Sequence, residues 1–266
     1  MTGATPLQSV GIAGTGRLGT ALAARLKDRF AVLLYDTDRS CARRAATTTA
    51  LPLADAETLV TADVVLLCVP PQETDNALLG LARCAVRGGR RPLFVSLATS
   101  VPTARLRSVL AQSPDLAGID VVGLKPVCQF AALARGVPTV MVTEDTGRLD
   151  ELRYLASGLG TVLVGDENVV GPVNRAATKA ALRACAQLTD ELSARGVDLL
   201  LVRAAVGNVL AGTALDHPPA PDNSYTRSVL AELAAEQVPP PVPQSVAATA
   251  AETKGTRAHE RPRSRP

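Results

Sequence analysis

Val10-Gly11-Ile12-Ala13-Gly14-Thr15-Gly16-Arg17-Leu18-Gly19 runs from an apolar strand pattern, through glycines at 14, 16 and 19, into a helical pattern. Each glycine of this G-x-G-x-x-G spacing has a mechanical reason. Gly14 permits a tight turn, Gly16 lets a diphosphate approach the backbone, and Gly19 lets the helix pack closely on the strand. Free amides at the helix start would then meet the phosphates. Thr15, Arg17 and Leu18 belong to the same candidate loop. The next strand pattern, Ala31–Tyr35, ends at Asp36, 22 residues beyond Gly14. A carboxylate there can accept hydrogen bonds from a ribose diol, which suits NAD. Arg39, Arg43 and Arg44 follow closely and could hold a 2′-phosphate, so NADP and NAD both stay open.

Outward from this loop, strand and helix patterns alternate over residues 1–165. β-Branched runs recur at 9–13, 31–35, 63–69, 93–97, 121–124, 139–143 and 161–164. Most lack polar–apolar alternation, as expected of parallel strands buried on both faces. Helical stretches lie between them at 17–28, 38–46, 54–61, 73–86, 103–112 and 148–157. Such alternation predicts an α/β fold with a doubly wound, mainly parallel sheet.

After residue 166 the texture becomes helical. Residues 167–195 form one Ala-rich segment in which Val169, Val173, Ala176, Ala177, Ala180, Ala184 and Leu188 make a stripe of small residues. Gly196 reads as its stop, and 198–215 and 223–236 read as further helices. Residues 166–237 are therefore expected to form a smaller all-helical domain that packs on the sheet domain, on a second subunit, or on both. Residues 238–266, Pro- and Arg-rich, are expected to be a disordered tail.

Composition sets the outer bounds. The chain has 266 residues, 47% hydrophobic and 20% charged, enough for a sizeable core. Its net charge of +3 resides in the tail, whose five basic residues face two acidic ones. The rest balances 23 basic against 23 acidic groups. With three Phe, three Tyr and no Trp, nothing suggests a nucleic-acid partner. No apolar run reaches the roughly 18–20 residues of a spanning helix, and no signal peptide is seen, so no membrane partner and a cytoplasmic location are expected. The five scattered cysteines show no C-x-x-C spacing, which argues against disulfides and a metal site.

The Gly14–Gly19 loop, the block Ala62-Asp63-Val64-Val65-Leu66-Leu67-Cys68-Val69-Pro70-Pro71-Gln72, the block Val95-Ser96-Leu97-Ala98-Thr99-Ser100-Val101-Pro102, and Lys125-Pro126 occur in one order. In these stretches the chain resembles the pyrroline-5-carboxylate reductase family and its deazaflavin-dependent NADP reductase relatives. The resemblance covers about residues 1–165. It implies a Rossmann domain, nicotinamide chemistry and an interlocked homodimer through the helices, with 166–237 as the substrate and dimerisation domain. The helical half departs from the family: where a Ser-Gly-Ser-Gly-Pro-Ala-Tyr type stretch is expected, it reads Gly171-Pro172-Val173-Asn174-Arg175-Ala176-Ala177. The chain thus reads as a divergent member with room for another substrate.

Ligands of open parallel sheets bind beyond the C-terminal strand ends. Three segments fall there: 68–72, with Cys68, Val69 and Pro70 beside the dinucleotide; 96–100, with Ser96 and Ala98 toward the nicotinamide; and 125–129. Only two histidines exist, His217 and His259, so a core histidine acid is hard to place. Reduction of a protonated imine needs no such acid. It is the first reading, with a small molecule as substrate. Lys179, Lys125 and Asn174 are the candidate catalytic residues, with a lysine on the long helix as acid or as anchor for a substrate carboxylate. Asn174, Arg175, Thr178 and Lys179 are read as one broad polar face of the long helix. Alternative readings are a Lys179-dependent hydroxyacid or carbonyl dehydrogenase, and a non-catalytic dinucleotide-binding sensor or partner protein.

Overall fold

The run Val64–Leu67 is buried at every position, as is Leu93–Ser96, and such strands need cover on both faces. The computed structural model, which describes residues 7–219 and 223–236, provides it. Five parallel strands, β1 (Ser9–Ala13), β2 (Ala31–Tyr35), β3 (Val64–Leu67), β4 (Leu93–Ser96) and β5 (Asp120–Gly123), lie in the order β2-β1-β3-β4-β5. Gly11 stands opposite Leu33 on one side and Val65 on the other. Because side chains alternate along a strand, Val64 and Leu66 enter one core with Leu22 and Leu26. Val65 and Leu67 enter the other with Leu78 and Leu81.

The helices are α1 (Arg17–Leu26), α2 (Arg39–Thr49), α3 (Ala56–Leu59), α4 (Thr74–Arg87), α5 (Thr103–Ala111), α6 (Phe130–Ala134), α7 (Leu149–Ala156) and α8 (Val170–Ala194). Asp38 caps α2 by accepting from the Ser40 and Cys41 amides. The parallel α/β architecture expected from the sequence is what is found. One detail differs. The runs after β5 form a second, three-stranded sheet in which β6 (Lys125–Val127) pairs antiparallel with β7 (Thr139–Thr143), and β7 pairs parallel with β8 (Gly160–Val164). Pro126 lacks an amide hydrogen and is tolerated because β6 is an edge strand.

Two arginines at the end of α1 tie it to the end of α7. Arg25 donates to the Gly158 carbonyl at 2.9 Å, and Arg29 to that of Tyr154 at 2.7 Å. These bonds engage carbonyls of the last turn of α7 and of the turn that follows it.

The chain divides into two compact units, residues 1–184 and 185–266. The division falls inside α8, whereas the sequence reading sets its boundary at 166, where the helical texture begins. The second unit holds the last turns of α8, which end at Gly196 with φ of 72°. There follow α9 (Leu199–Ala204) with Asp198 at its cap, a π-helical segment Ala205–Leu210, α10 (Ala211–Leu215) and α11 (Ser224–Glu236). Leu199, Leu200 and Leu201 are all exposed on this unit. The stretch 238–266, expected to be a tail, lies outside the described residues. Among the described residues no helix is long and apolar enough to cross a membrane, and no group of side chains is arranged to hold a metal ion.

Candidate functional site

In the order β2-β1-β3 the chain leaves β1 in one direction and returns on its other side, which opens a crevice at the C-terminal strand ends. A cleft of about 900 Å³ occupies this place in the first unit. Gly14 turns there with φ of 94°, its amide donating to the Tyr35 carbonyl at 2.9 Å. A Cβ on Gly14 would lie 2.7 Å from the Cys68 carbonyl, and one on Gly19 would overlap the Gly14 carbonyl oxygen. A Cβ on Gly16 would meet nothing within 4 Å, so that backbone faces open space. No side chain caps the N-terminus of α1. Uncapped amides beside an open glycine backbone fit a diphosphate group.

At the β2 end the cleft is lined by Asp36, Thr37 and Cys41. Asp36 is held in place: its Oδ2 accepts from the Thr15 amide at 2.7 Å and the Thr15 hydroxyl at 2.9 Å, and its Oδ1 from the Asp38 amide at 2.9 Å. Arg39 is exposed at the start of α2 and does not line the cleft. Arg17 places its guanidinium 5.1 Å from the centre of the Phe130 ring, a cation–π contact beside the glycine loop.

Beyond the β3 end come Cys68, Val69 and Pro70, and beyond β4 come Leu97, Ala98 and Thr99. Pro126, Cys128, Phe130 and Asn174 close this side. Asn174 Nδ2 donates to the Pro126 carbonyl at 3.0 Å. Desolvation pushes the Cys68 thiol up to about 12 and raises that of Cys128, so both stay protonated and poorly nucleophilic.

Several expected site residues fall elsewhere. Ser96 is fully buried behind the cleft wall, where its hydroxyl meets Lys125 Nζ at 3.1 Å. Lys125 is also buried and does not reach the cleft. Its ammonium donates to the Val101 carbonyl at 3.0 Å and lies 3.8 Å from Glu167 Oε2. Lys179 is exposed on α8, five residues past Asn174 and so on a different face, because five residues rotate a helix by about 140° from a whole turn. The four-residue polar face read from the sequence is thereby split: Asn174 lines the cleft, while Arg175, Thr178 and Lys179 are exposed. Phe130, which lines the cleft, and Glu167, which is buried behind its wall, carry no motif in the sequence. Phe130 had a usable signal, since it follows a strand end and aromatics are so few.

Desolvation brings the Lys125 ammonium down to about 8 from an ordinary 10.5, against the upward pull of Glu167 and Glu144. The unfolded chain therefore binds the extra proton between about pH 8 and 10.5. Stability from this group rises with pH across that window, and the full cost of the charged form is present below it. Against a Lys125→Met/Glu167→Gln variant, wild type is expected to gain about 2 kcal/mol between roughly pH 7 and 9.5. Urea unfolding at both pH values checks this; a pH-independent difference contradicts it.

Residues 9–98 match the family of coenzyme F420-dependent NADP oxidoreductases. No curated protein matches the chain. Among solved structures, a pyrroline-5-carboxylate reductase from Coxiella burnetii superposes with a TM-score of 0.62 at 13% identity, covering 86% of this chain and 92% of that one. The Plasmodium falciparum pyrroline carboxylate reductase, solved with NADP bound, gives 0.60 at 13% identity over 88% and 85%. An imine reductase from Myxococcus stipitatus in complex with NADP+ gives 0.56 at 18% identity over 86% and 78%. The family resemblance read from the sequence blocks thus reappears in the family match over the first strands and in the fold.

Proposed function

We propose that this chain is an NAD(P)-dependent oxidoreductase that reduces the C=N bond of a small cyclic imine. The observation that carries the reading is the composition of the cleft beyond β4. Leu97, Ala98, Thr99, Pro126, Cys128 and Asn174 include amide, hydroxyl and thiol groups but no histidine, lysine or carboxylate; the carboxylates that line the cleft, Asp36 and Glu73, follow β2 and β3 instead. A carbonyl substrate develops alkoxide charge and calls for a proton donor. A protonated imine does not: the C=N π pair moves onto a nitrogen that already carries its proton. A bound reduced nicotinamide supplies the hydride. The protein's part is then to bind, orient and exclude water. Gly14, Gly16 and the α1 amides hold the diphosphate, Asp36 takes a ribose, and Asn174 presents its amide to the substrate. The fold shared with pyrroline-carboxylate and imine reductases supports the same reading. The exposed Leu199, Leu200 and Leu201 of the second unit support a homodimer.

Loss of reduced-nicotinamide absorbance with a panel of cyclic imines is the direct test. Turnover is expected with at least one member, and Lys179→Ala is expected to keep kcat/KM within about threefold of wild type. A collapse of turnover in Lys179→Ala would favour the hydroxyacid-dehydrogenase reading. Tight dinucleotide binding with silence across the panel would favour a non-catalytic binding protein.

A further inference from the structure

Behind the cleft wall lies a polar cluster that the proposed reaction does not use. Lys125, Glu167, Ser96 and Thr103 are each at most 1% exposed. Glu167 accepts from the Thr103 amide and, at 2.7 Å, from the Thr103 hydroxyl, so it caps α5 from a distant part of the chain. Room for it exists only because residue 123 is glycine: a Cβ there would overlap Glu167 Oε2 and Thr103 Oγ1. Burying two charges carries a desolvation cost that a well-packed apolar pair would avoid. Stability of the fold alone does not account for the arrangement.

What the pair touches does. Lys125 Nζ holds Ser96 Oγ and the Val101 carbonyl, which are the two ends of the segment whose Leu97, Ala98 and Thr99 line the cleft. The backbone that carries Lys125 continues into Pro126, whose carbonyl holds Asn174. Glu167 stands three residues before α8, and in the first turn of α8 a Cβ on Gly171 would lie 3.0 Å from the Thr99 carbonyl oxygen. Three wall segments, 97–101, 125–128 and the start of α8, are therefore tied to one buried ion pair.

The strand order says which end of the cleft this is. Asp36 fixes the ribose end at β2, and the glycine loop follows β1, so the other end of an extended dinucleotide passes β3 toward β4. We propose that Lys125 and Glu167 are a positioning pair that sets the wall of the cleft beyond β4, and with it the seat of the nicotinamide and substrate, without touching either. This rests on the dinucleotide reading above.

The test compares two probes on the full chain by calorimetry: NADH, and ADP-ribose, which has every part of the dinucleotide except the nicotinamide. For Lys125→Met, NADH is expected to bind about tenfold more weakly, with ADP-ribose unchanged. On a cyclic imine, kcat is expected to fall about tenfold to a hundredfold, more than KM changes. If Lys125→Met fails to fold, Lys125→Met/Glu167→Gln removes the stranded carboxylate and carries the same comparison. Glu167→Gln alone leaves the buried Lys125 ammonium without its counter-charge and is expected to weaken NADH in the same direction as Lys125→Met, with ADP-ribose unchanged. Folded variants that bind NADH like wild type would overturn the proposal, as would equal weakening of both probes. Wild type that binds neither probe would instead remove the cofactor reading beneath it.

Discussion

Gly14→Val is expected to bind NADH at least about a hundredfold more weakly than wild type and to melt at lower temperature. Two costs combine. A β-branched residue at φ of 94° is strained wherever it sits, by about 1–3 kcal/mol. The new Cβ would also stand 2.7 Å from the carbonyl carbon and oxygen of Cys68, whose amide donates to the Ala13 carbonyl at 2.7 Å. Relief of that contact separates β1 from β3 where the cleft opens. Gly16→Ala is the informative control. Gly16 has φ of −64°, ordinary for any residue, and open space beyond its Cα. Alanine there is expected to leave the melting temperature unchanged while its methyl group occupies the diphosphate's approach. A folded Gly16→Ala with wild-type affinity would show that the phosphates lie elsewhere.

The second large effect is coenzyme choice. NADH is expected to bind at least about tenfold more tightly than NADPH. Asp36 lines the cleft as a carboxylate already oriented by Thr15 and Asp38. Arg44, a candidate partner for a 2′-phosphate, is engaged with Ser40 and Cys41, and Arg39 is not among the residues that line the cleft. A 2′-phosphate would meet like charge without a cation lining the same wall. At contact distance each pair of charges costs about 1–4 kcal/mol in a partly hydrated site. Asp36→Ser is expected to narrow the gap, by losing NADH affinity and gaining NADPH affinity. Calorimetry with both coenzymes decides it, and equal or tighter binding of NADPH by wild type would contradict the assignment.

The parallel sheet was legible because its strands are continuous apolar runs, and the glycine loop because its spacing has one mechanical use. β6 was not legible: three residues, one of them proline, carry no periodicity. The same holds for the five residues of α6. The candidate site was legible on its phosphate side, where the groups are neighbours in sequence. The Lys125–Glu167 pair escaped notice because its partners come from four separate segments. Lys179 is one of only four lysines in the sequence, yet helical geometry turns it away from Asn174. Ser96 belongs to a segment that lines the cleft, but the last residue of β4 is fully buried against Lys125 while the next three reach the cleft lining.

The arginine ties from α1 to α7 bear on how the chain matures. Arg25 and the carbonyl it meets are 133 positions apart. On the ribosome the glycine loop and its helix emerge first, but their far anchors emerge only after seven of the eight strands have been made. Until then the phosphate cradle can have β2 and β3 beside it but lacks this brace. A dinucleotide already present in the cell would thus find its complete seat only late in synthesis.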